Sequence, residues 1–428
     1  MTAMPTHGAG RLSDRPLWQD ALAPAPRVDL PARADAVIVG AGVTGLSAAL
    51  SLARAGREVV VLDAGDPATG ASTRNAGVLG FTLKAGFSDI TRRAGEDTAM
   101  RVFREARRAF HAFIDMIAAE GIKCDLSLRG RLMCARTEDE MRTLAATLED
   151  RRARFGDRWH PVSSDDMRRV LGTDAYLCGA VVEGHGTFDP GLFMQALIDR
   201  ARASGVTVAG GHRVTGVGGG PGAFDITLAQ GQLCAREVIF ATNGYTDGAL
   251  PFLRRRIVPV NGFMVATPRL DPALAQACLP DVACFHDLSA DVEFGRLADR
   301  GRRIVFGGGT GALPSALPAV ARRLARRMVE VFPQLGLSGA ERGWTGACGG
   351  TFTGLPHLGS HEGIHYAAGY CFGSGMPIGH WLGAQLADRI LGREEGASAF
   401  AEIPMEARAW YTGRNWLAPF LRLYIRSR

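Results

Sequence analysis

The stretch 35–63 constrains this chain more than any other, because it reads as strand, glycine turn, helix, strand and acid. Val37, Ile38 and Val39 form a short apolar, β-branched run that stops at Gly40-Ala41-Gly42-Val43-Thr44-Gly45. The sequence then takes helical composition over 46–55, returns to Val59-Val60-Val61-Leu62, and ends on Asp63. Each part has a task if a dinucleotide lies across it. Gly40 permits the tight turn, Gly42 lets backbone approach a pyrophosphate, and Gly45 lets helix and strand pack closely. The helix start at Val43 and Thr44 offers unpaired N–H groups and partial positive charge to phosphates. An acid about twenty residues on accepts ribose hydroxyls. A glycine turn alone is a weak signal; flanked by strand, helix, second strand and acid, it reads as dinucleotide-binding rather than as a plain turn. The uncharged run 36–53 is long enough to imitate a membrane span, but its glycines, Thr44 and Ser47 fit a buried parallel unit instead.

With 428 residues, 46% hydrophobic and 21% charged, the chain suits a soluble globular protein of two or three domains. The net charge of +6 is spread, so no stripe or tail points to nucleic acid. Arg322, Arg323, Arg326 and Arg327 repeat as the solvated face of a helix, the alternative being a basic rim that attracts an acidic substrate. The eight cysteines show neither a CxxC pair nor metal-ligand spacing, so no metal is expected and the thiols read as free, in a reducing compartment. The N-terminal residues carry His7, Arg11, Asp14 and Arg15 without an apolar core, which is neither secretory signal nor anchor. The expected location is cytoplasmic.

Residues 1–34 are rich in Pro and Ala and read as an extended arm that Trp18 could pin. Val102, Phe103, Phe110, Phe113, Ile114 and Ile117 recur at helical spacing and predict the buried face of a long helix, with His111 off that face. Strand-like pieces at 126–135 and 176–182 start a separate sheet, and a helix is expected over 189–203. The pieces 206–208 and 237–244 return to the first domain; 257–309 is again sheet-like, with strands at 258–267 and 303–306. The glycine-rich end 344–391 closes with a helix over 377–391. We therefore divide the chain into an arm (1–34), a dinucleotide domain (35–121, 185–249 and 339–400), a second domain (122–184 and 250–338) and a tail (401–428). The fold class is α/β: a Rossmann-like domain threaded through an α+β domain built on a mostly antiparallel sheet.

Five segments now stand in a characteristic order: the GAGVTG turn, Gly70-Ala71-Ser72-Thr73-Arg74-Asn75-Ala76-Gly77, Ala241-Thr242-Asn243-Gly244-Tyr245-Thr246, Phe306-Gly307-Gly308-Gly309-Thr310, and Gly373-Ser374-Gly375-Met376. Together they resemble the FAD-dependent amino acid and amine oxidoreductase family, over nearly the whole chain from Asp35 to Gly392. The GASTRNAG segment looks most like the γ-glutamylputrescine branch. The resemblance implies FAD rather than nicotinamide, with its ring against the second domain. It places Ser72, Arg74, Asn75 and Gly77 along the pyrophosphate and flavin, and Gly373, Gly375, Met376 and Pro377 at the pyrimidine edge, where a helix start favours the charge that reduction creates. It also sets Ala64, Val214 and Gly346 around the cofactor. Covalent relatives use a His in the segment matching GASTRNAG, or a Cys near 344–351; Arg74-Asn75 and Gly346 stand there, so the FAD is expected to be non-covalent, with Cys348 outside the attachment position. Sarcosine-type oxidases carry a Lys where Val305 stands, which puts fast oxygen reduction in doubt.

The chemistry implied is hydride transfer from the carbon beside a neutral amine to flavin N5, giving an imine that water hydrolyses. The protein positions the donor carbon and excludes water, so no strong base is required. The partners implied are a small amine or amino acid substrate and an electron acceptor, O2 or quinone. Arg296, in Phe294-Gly295-Arg296-Leu297, matches a place where relatives hold a substrate carboxylate, a surface arginine being the alternative. His357 either touches ring or substrate or is a structural imidazole. His380, in the last helix, is taken as packing or capping. Trp344 is a pocket wall or a core aromatic. The tail residues Trp416, Phe420, Leu421, Leu423 and Tyr424, with Arg422 and Arg426, would dock on a membrane surface or pack on protein. Beside amine oxidation stand a membrane-linked D-amino acid dehydrogenase and a flavin-binding subunit without turnover of its own.

Overall fold

A computed structural model describes residues 12–289, 291–336, 339–370 and 374–413. The β-branched run after the arm forms strand Arg33–Val39, the centre of an eight-stranded sheet. It pairs in parallel with Val59–Leu62 on one side and Gly231–Phe240 on the other, Val39 standing opposite both Leu62 and Phe240. Thr207–Ala209 and Ile364–Ala368 extend the parallel part, and His357–His361 adds an antiparallel edge. A hairpin, Val214–Gly220 with Ala223–Leu228, folds back on Gly231–Phe240. Alternation along the central strands feeds two cores: Ala36, Ile38, Val59 and Val61 join one, Val37, Val39, Val60 and Leu62 the other. Burial on both faces is what a parallel sheet of unbroken β-branched residues requires. Helices Val43–Arg54, Glu96–Ala119, Pro190–Ala203 and Gly375–Ile390 all contribute to the first of these cores. Within Glu96–Ala119 the buried residues include Val102, Phe103, Phe110, Phe113 and Ile117, while His111 is exposed, as the periodicity indicates.

The second eight-stranded sheet runs Arg342–Thr351, Ile257–Ala266, Arg303–Gly308, Phe294–Ala298, Cys284–Asp287, Arg131–Ala135, Cys178–Val182 and Trp159–Val162. Its pairs are antiparallel except for Cys284–Asp287 with Arg131–Ala135. Helix Leu317–Val331 packs on one face through Val320, Leu324 and Met328, and the opposite face turns toward the first sheet. A short ladder, Val78–Leu79 with Gly186–Thr187, lies at that junction.

Two sequence expectations require correction. The strand over 126–135 begins only at Arg131, because Asp125 and Gly130 take positive φ, and Ser127 instead bridges to Thr187. The piece 339–400, assigned to the dinucleotide domain, opens with Arg342–Thr351, which pairs along its whole length with Ile257–Ala266 in the other sheet. Its glycines hide the strand pattern from a reading of composition.

The arm is pinned as Trp18 suggests. Its ring is 1% exposed, and Nε1–H donates to Asn75 O at 2.7 Å. Ser13 bridges to Arg342, and Asp20 pairs with Arg342 at 2.7 Å. The arm thus ties the loop 70–77 to an edge of the second sheet. Trp18→Ala is expected to cost about 3 kcal/mol or more through the cavity and the lost bond. Thermal unfolding and limited proteolysis would read it, as a lower midpoint and cleavage within 12–34; an unchanged digest would refute the pin. No helix among the described residues is long and apolar enough to cross a membrane. The tail 416–424 lies outside them.

Candidate active site

The glycine turn does in space what its residue types allow. Gly40 sits at φ +107°, and a Cβ there would stand 2.9 Å from Ala241 O on the neighbouring strand. A Cβ on Gly45 would collide with Gly40 O, so helix and turn close only around a hydrogen at that position. Helix Val43–Arg54 starts at Gly42 without a side-chain cap, and Val43 N–H donates to Ser72 Oγ at 3.0 Å. Asp63, at the end of Val59–Leu62, accepts from Ala41 N at 2.8 Å and from Gly65 N at 3.0 Å. Burial raises its pKa and these backbone donors oppose the rise. Ala64 follows, exposed. Val214 opens its strand two residues after His212, whose N–H donates to Asp63 O at 2.8 Å. Gly40, Gly42, Val43, Thr44, Gly45, Asp63, Ala64, Ser72 and Val214 therefore converge on one end of the sheet.

The loop 70–77 forms the next part. Arg74 and Asn75 hold it internally: Arg74 Nε donates to Thr69 O at 2.8 Å, and Asn75 Nδ2 to Ser72 O at 2.8 Å, while Gly77 N donates to Asn75 Oδ1 at 2.7 Å. Arg74 Nη1 also reaches Thr345 O at 3.0 Å, and a Cβ on Gly346 would meet Arg74 Cβ at 2.7 Å. The loop is thus pressed against the second sheet.

The C-terminal helix Gly375–Ile390 supplies the third part. It begins at Ser374 with no side-chain cap, the Ser374 hydroxyl donating instead to Thr82 O at 2.8 Å. Gly375, Met376 and Pro377 form its first turn; Gly373 lies outside the described residues. This helix lies against the glycine-turn helix, with Ser47 Oγ and His380 Nδ1 2.9 Å apart, and Thr44 Oγ1 donates to Tyr370 OH at 2.8 Å. Two helix starts whose N-cap residues supply no side-chain cap, at the carboxyl ends of parallel strands, with an acid between strand and turn, form a donor set suited to a pyrophosphate and a ribose. The residues present fit an adenine dinucleotide.

Arg296 lies in strand Phe294–Ala298 and reaches the loop 70–77. It is buried, and two of its nitrogens donate to main-chain carbonyls: Nε to Leu297 O at 2.8 Å, and Nη1 to Ala76 O at 3.3 Å, Gly77 O at 2.7 Å and Phe188 O at 2.5 Å. Its Cζ lies 5.1 Å from the Trp18 ring centre. This geometry clamps the loop 70–77 rather than presenting a fork to a carboxylate. Trp344, fully buried beside Trp18, Met264 and Val305, is a core aromatic whose Nε1–H donates to Arg74 O at 3.3 Å. His357 is likewise structural, bonded through Nε2 to Thr353 Oγ1 at 2.6 Å and through Nδ1 to Ile403 O at 3.0 Å.

Burial lowers the pKa of His357 and of His380 to about 4 each. The unfolded chain takes up protons on these rings from about pH 6.5 downward, the folded chain only near 4. Their contribution to stability is complete above about pH 6.5 and is lost as pH falls toward 4, by roughly 3 kcal/mol per ring. Asp63 and Asp189, raised by burial, act in the opposite sense. Urea unfolding at pH 7 and pH 4.5 should show the loss for the parent chain and a smaller one for His357→Gln; equal losses would refute this assignment.

The sequence reading missed Arg131, His185 and His286, which the two sheets bring together at their junction; only the position of His185 just before Gly186-Thr187-Phe188-Asp189-Pro190 could have drawn attention to them.

Comparison with known proteins bears on this geometry. The profile of the FAD dependent oxidoreductase (DAO) family matches residues 35–389. The γ-glutamylputrescine oxidoreductase of Escherichia coli (strain K12) is 30% identical over 373 residues, covering 86% of each chain. A probable oxidoreductase, OrdL, of Haemophilus influenzae is 28% identical over 374 residues, covering 86% of this chain and 85% of that protein. Among solved structures, glycine oxidase from Geobacillus kaustophilus superposes with a TM-score of 0.71 at 20% identity, over 88% of this chain and 100% of that one.

Proposed function

Because the chain belongs to the FAD dependent oxidoreductase family, an enzyme family acting on amines and amino acids, we propose that it oxidises the C–N bond of a small amine or amino acid derivative with FAD bound non-covalently along the glycine turn. The observation that carries the proposal is the meeting of two helix starts whose N-cap residues supply no side-chain cap, Asp63 and the braced loop 70–77 at one junction. When bound, FAD would supply the two-electron acceptor for oxidising the carbon beside the amine, the imine product then hydrolysing in water.

The chain's own residues have definable tasks. Thr44 would offer its main-chain N–H to the pyrophosphate beside Ser72, whose hydroxyl accepts from Val43 N, and Asp63 would accept from the ribose. Gly375 and Met376, in the first turn of the last helix, would put its positive end toward the flavin and so favour negative charge there. Trp18, Arg74, Asn75 and Arg296 hold the loop rigid, so that a donor carbon is positioned and water is kept out.

The activity named for the Escherichia coli relative makes mono-acylated diamines the first compounds to test, followed by amino acids. Anaerobic mixing should bleach the visible flavin band with at least one of them. A flavin that no amine reduces would mark a binding subunit without turnover. Val305, buried in strand Arg303–Gly308, brings no cation to the junction, and this favours a quinone or other organic acceptor over O2. Admitting air after reduction should release peroxide slowly; fast stoichiometric peroxide would identify an oxidase. Acid precipitation should leave the yellow colour in the supernatant, and colour in the pellet would refute non-covalent binding. A cytoplasmic location belongs to the same proposal.

A further inference from the structure

The face of the second sheet turned toward the first carries Arg131, Cys284 and Arg296 directly opposite one another on three neighbouring strands. His286, two residues beyond Cys284, shares that face by the strand period. Across the junction stands His185, whose carbonyl accepts from Gly130 N at 3.0 Å and whose ring meets Phe81 edge-on at 4.5 Å. These side chains are sealed but unsatisfied. Among the described residues, neither ring nitrogen of His185, nor Nδ1 of His286, nor Nε of Arg131 has a partner, and His185 is 1% and Arg131 6% exposed.

Among the described residues no carboxylate acts on Arg131, His185 or His286, those nearest the face, Asp189 and Asp125, acting on Arg296. The charged and titratable groups that act on Arg131 and His185 are Arg151, Arg107, His286 and the Cys284 thiol, and both outer arginines are already paired with Asp157. Burial, reinforced by these cations, keeps the His185 ring well below its ordinary pKa, so it stays neutral with one donor and one acceptor idle. A buried guanidinium without counter-ion costs several kcal/mol in stability. Arg296 escapes that cost through its carbonyl bonds, whereas Nε of Arg131 finds no partner among the described residues.

We infer that Arg131, His185 and His286 form a receptor for the carboxylate of an amine substrate, a task that falls to Arg131 rather than to Arg296. The identity of the ligand as an amine rests on the oxidation proposed above; the anion site itself rests on the unpartnered cluster. One fixed positive charge beside two imidazoles suits a monoanion, and the planar fork suits a carboxylate in two-point contact better than a phosphate dianion. The receptor adjoins the ladder Val78–Leu79 with Gly186–Thr187, immediately after Gly77, so a carboxylate held there leaves its amine-bearing end near the loop 70–77.

The test is calorimetric titration of the flavin-loaded protein with acetate, benzoate and inorganic phosphate, on the parent chain and on Arg131→Met. The carboxylates should bind the parent more tightly than phosphate, and Arg131→Met should weaken them at least about 30-fold, the lower range for removing one partner of a buried charge pair. Without added anion, Arg131→Met should unfold at a higher temperature than the parent, because it removes an uncompensated buried charge. His185→Asn should weaken carboxylate binding about tenfold or less, having lost no charge. A parent that binds no carboxylate, or an Arg131→Met that binds as tightly as the parent, would overturn the inference, as would phosphate outcompeting both carboxylates. An Arg131→Met chain that cannot retain FAD would also overturn it, by giving the cluster to the cofactor. If carboxylates bind and depend on Arg131 while no amine reduces the flavin, the anion site stands and the oxidation proposal falls.

Discussion

Gly45→Val is expected to give a chain that folds but binds FAD at least about 100-fold more weakly than the parent, a loss of about 2.7 kcal/mol or more. A side chain at this position runs into Gly40 O, and Ile38 Cγ2 would stand 3.2 Å from its first carbon, so the obstacle on one side is backbone. Neither the strand nor the turn can rotate away, since Gly40 N is bonded to Leu62 O at 2.8 Å and Ala241 N to Val39 O at 2.8 Å. The helix must instead tilt off the sheet, carrying the N–H group of Thr44 away from the pyrophosphate. Forced overpacking costs about 1–3 kcal/mol in a core that can adjust, and more where main chain is the obstacle. Gly45→Ala places the same first carbon against the same oxygen and should fall between parent and Gly45→Val. Circular dichroism would confirm the retained fold, and equilibrium titration with FAD would measure the loss. Parent-like affinity in Gly45→Val would mean that the pyrophosphate does not lie on this turn.

Arg296→Met carries the second large effect. The substitution keeps volume and apolar stem but strips the donors from the buried Gly77 O and Phe188 O and from the part-buried Ala76 O and Leu297 O. Leaving such groups unmatched costs about 1–3 kcal/mol each, so a loss of about 3–5 kcal/mol in stability is expected, along with weaker FAD retention as the loop 70–77 loosens. Arg296→Lys, which keeps the charge and can donate to part of this set, should recover some of both. A substrate-binding arginine would give a different signature: unchanged stability and FAD content, with KM raised selectively for acidic amines. Thermal unfolding, flavin content and a comparison of KM with kcat across acidic and neutral amines separate the two; the substrate-selective pattern would restore the role the sequence suggested.

The dinucleotide unit was legible because every local preference in it agrees. The β-branched run, the glycines at fixed offsets and the acid at the end of the second strand require one another, and the strand and helix bounds fell within a few residues of those read from pattern. The last helix was equally clear, starting at Gly375. What escaped was of two kinds. Glycine-rich strands such as Arg342–Thr351 lack the side chains whose alternation announces a strand, so its sheet was misassigned. The roles of single polar residues depend on what tertiary structure places around them. Arg296 and Arg131 look alike in sequence, each near the start of a short apolar strand, yet one meets four main-chain carbonyls while Nε of the other has no partner among the described residues. His357 and His185 differ in the same way: the first ring is bonded at both nitrogens, and the second, among the described residues, at neither. No spacing rule carries that information, because the deciding partners lie far away along the chain.

The measurement that bears most directly on the account is anaerobic titration of the purified protein, reconstituted with FAD, against mono-acylated diamines and amino acids while following the visible flavin band. One FAD per chain, bleached by at least one amine, is the expected result. Protein that takes up no FAD, or holds a flavin that every amine leaves oxidised, would contradict it.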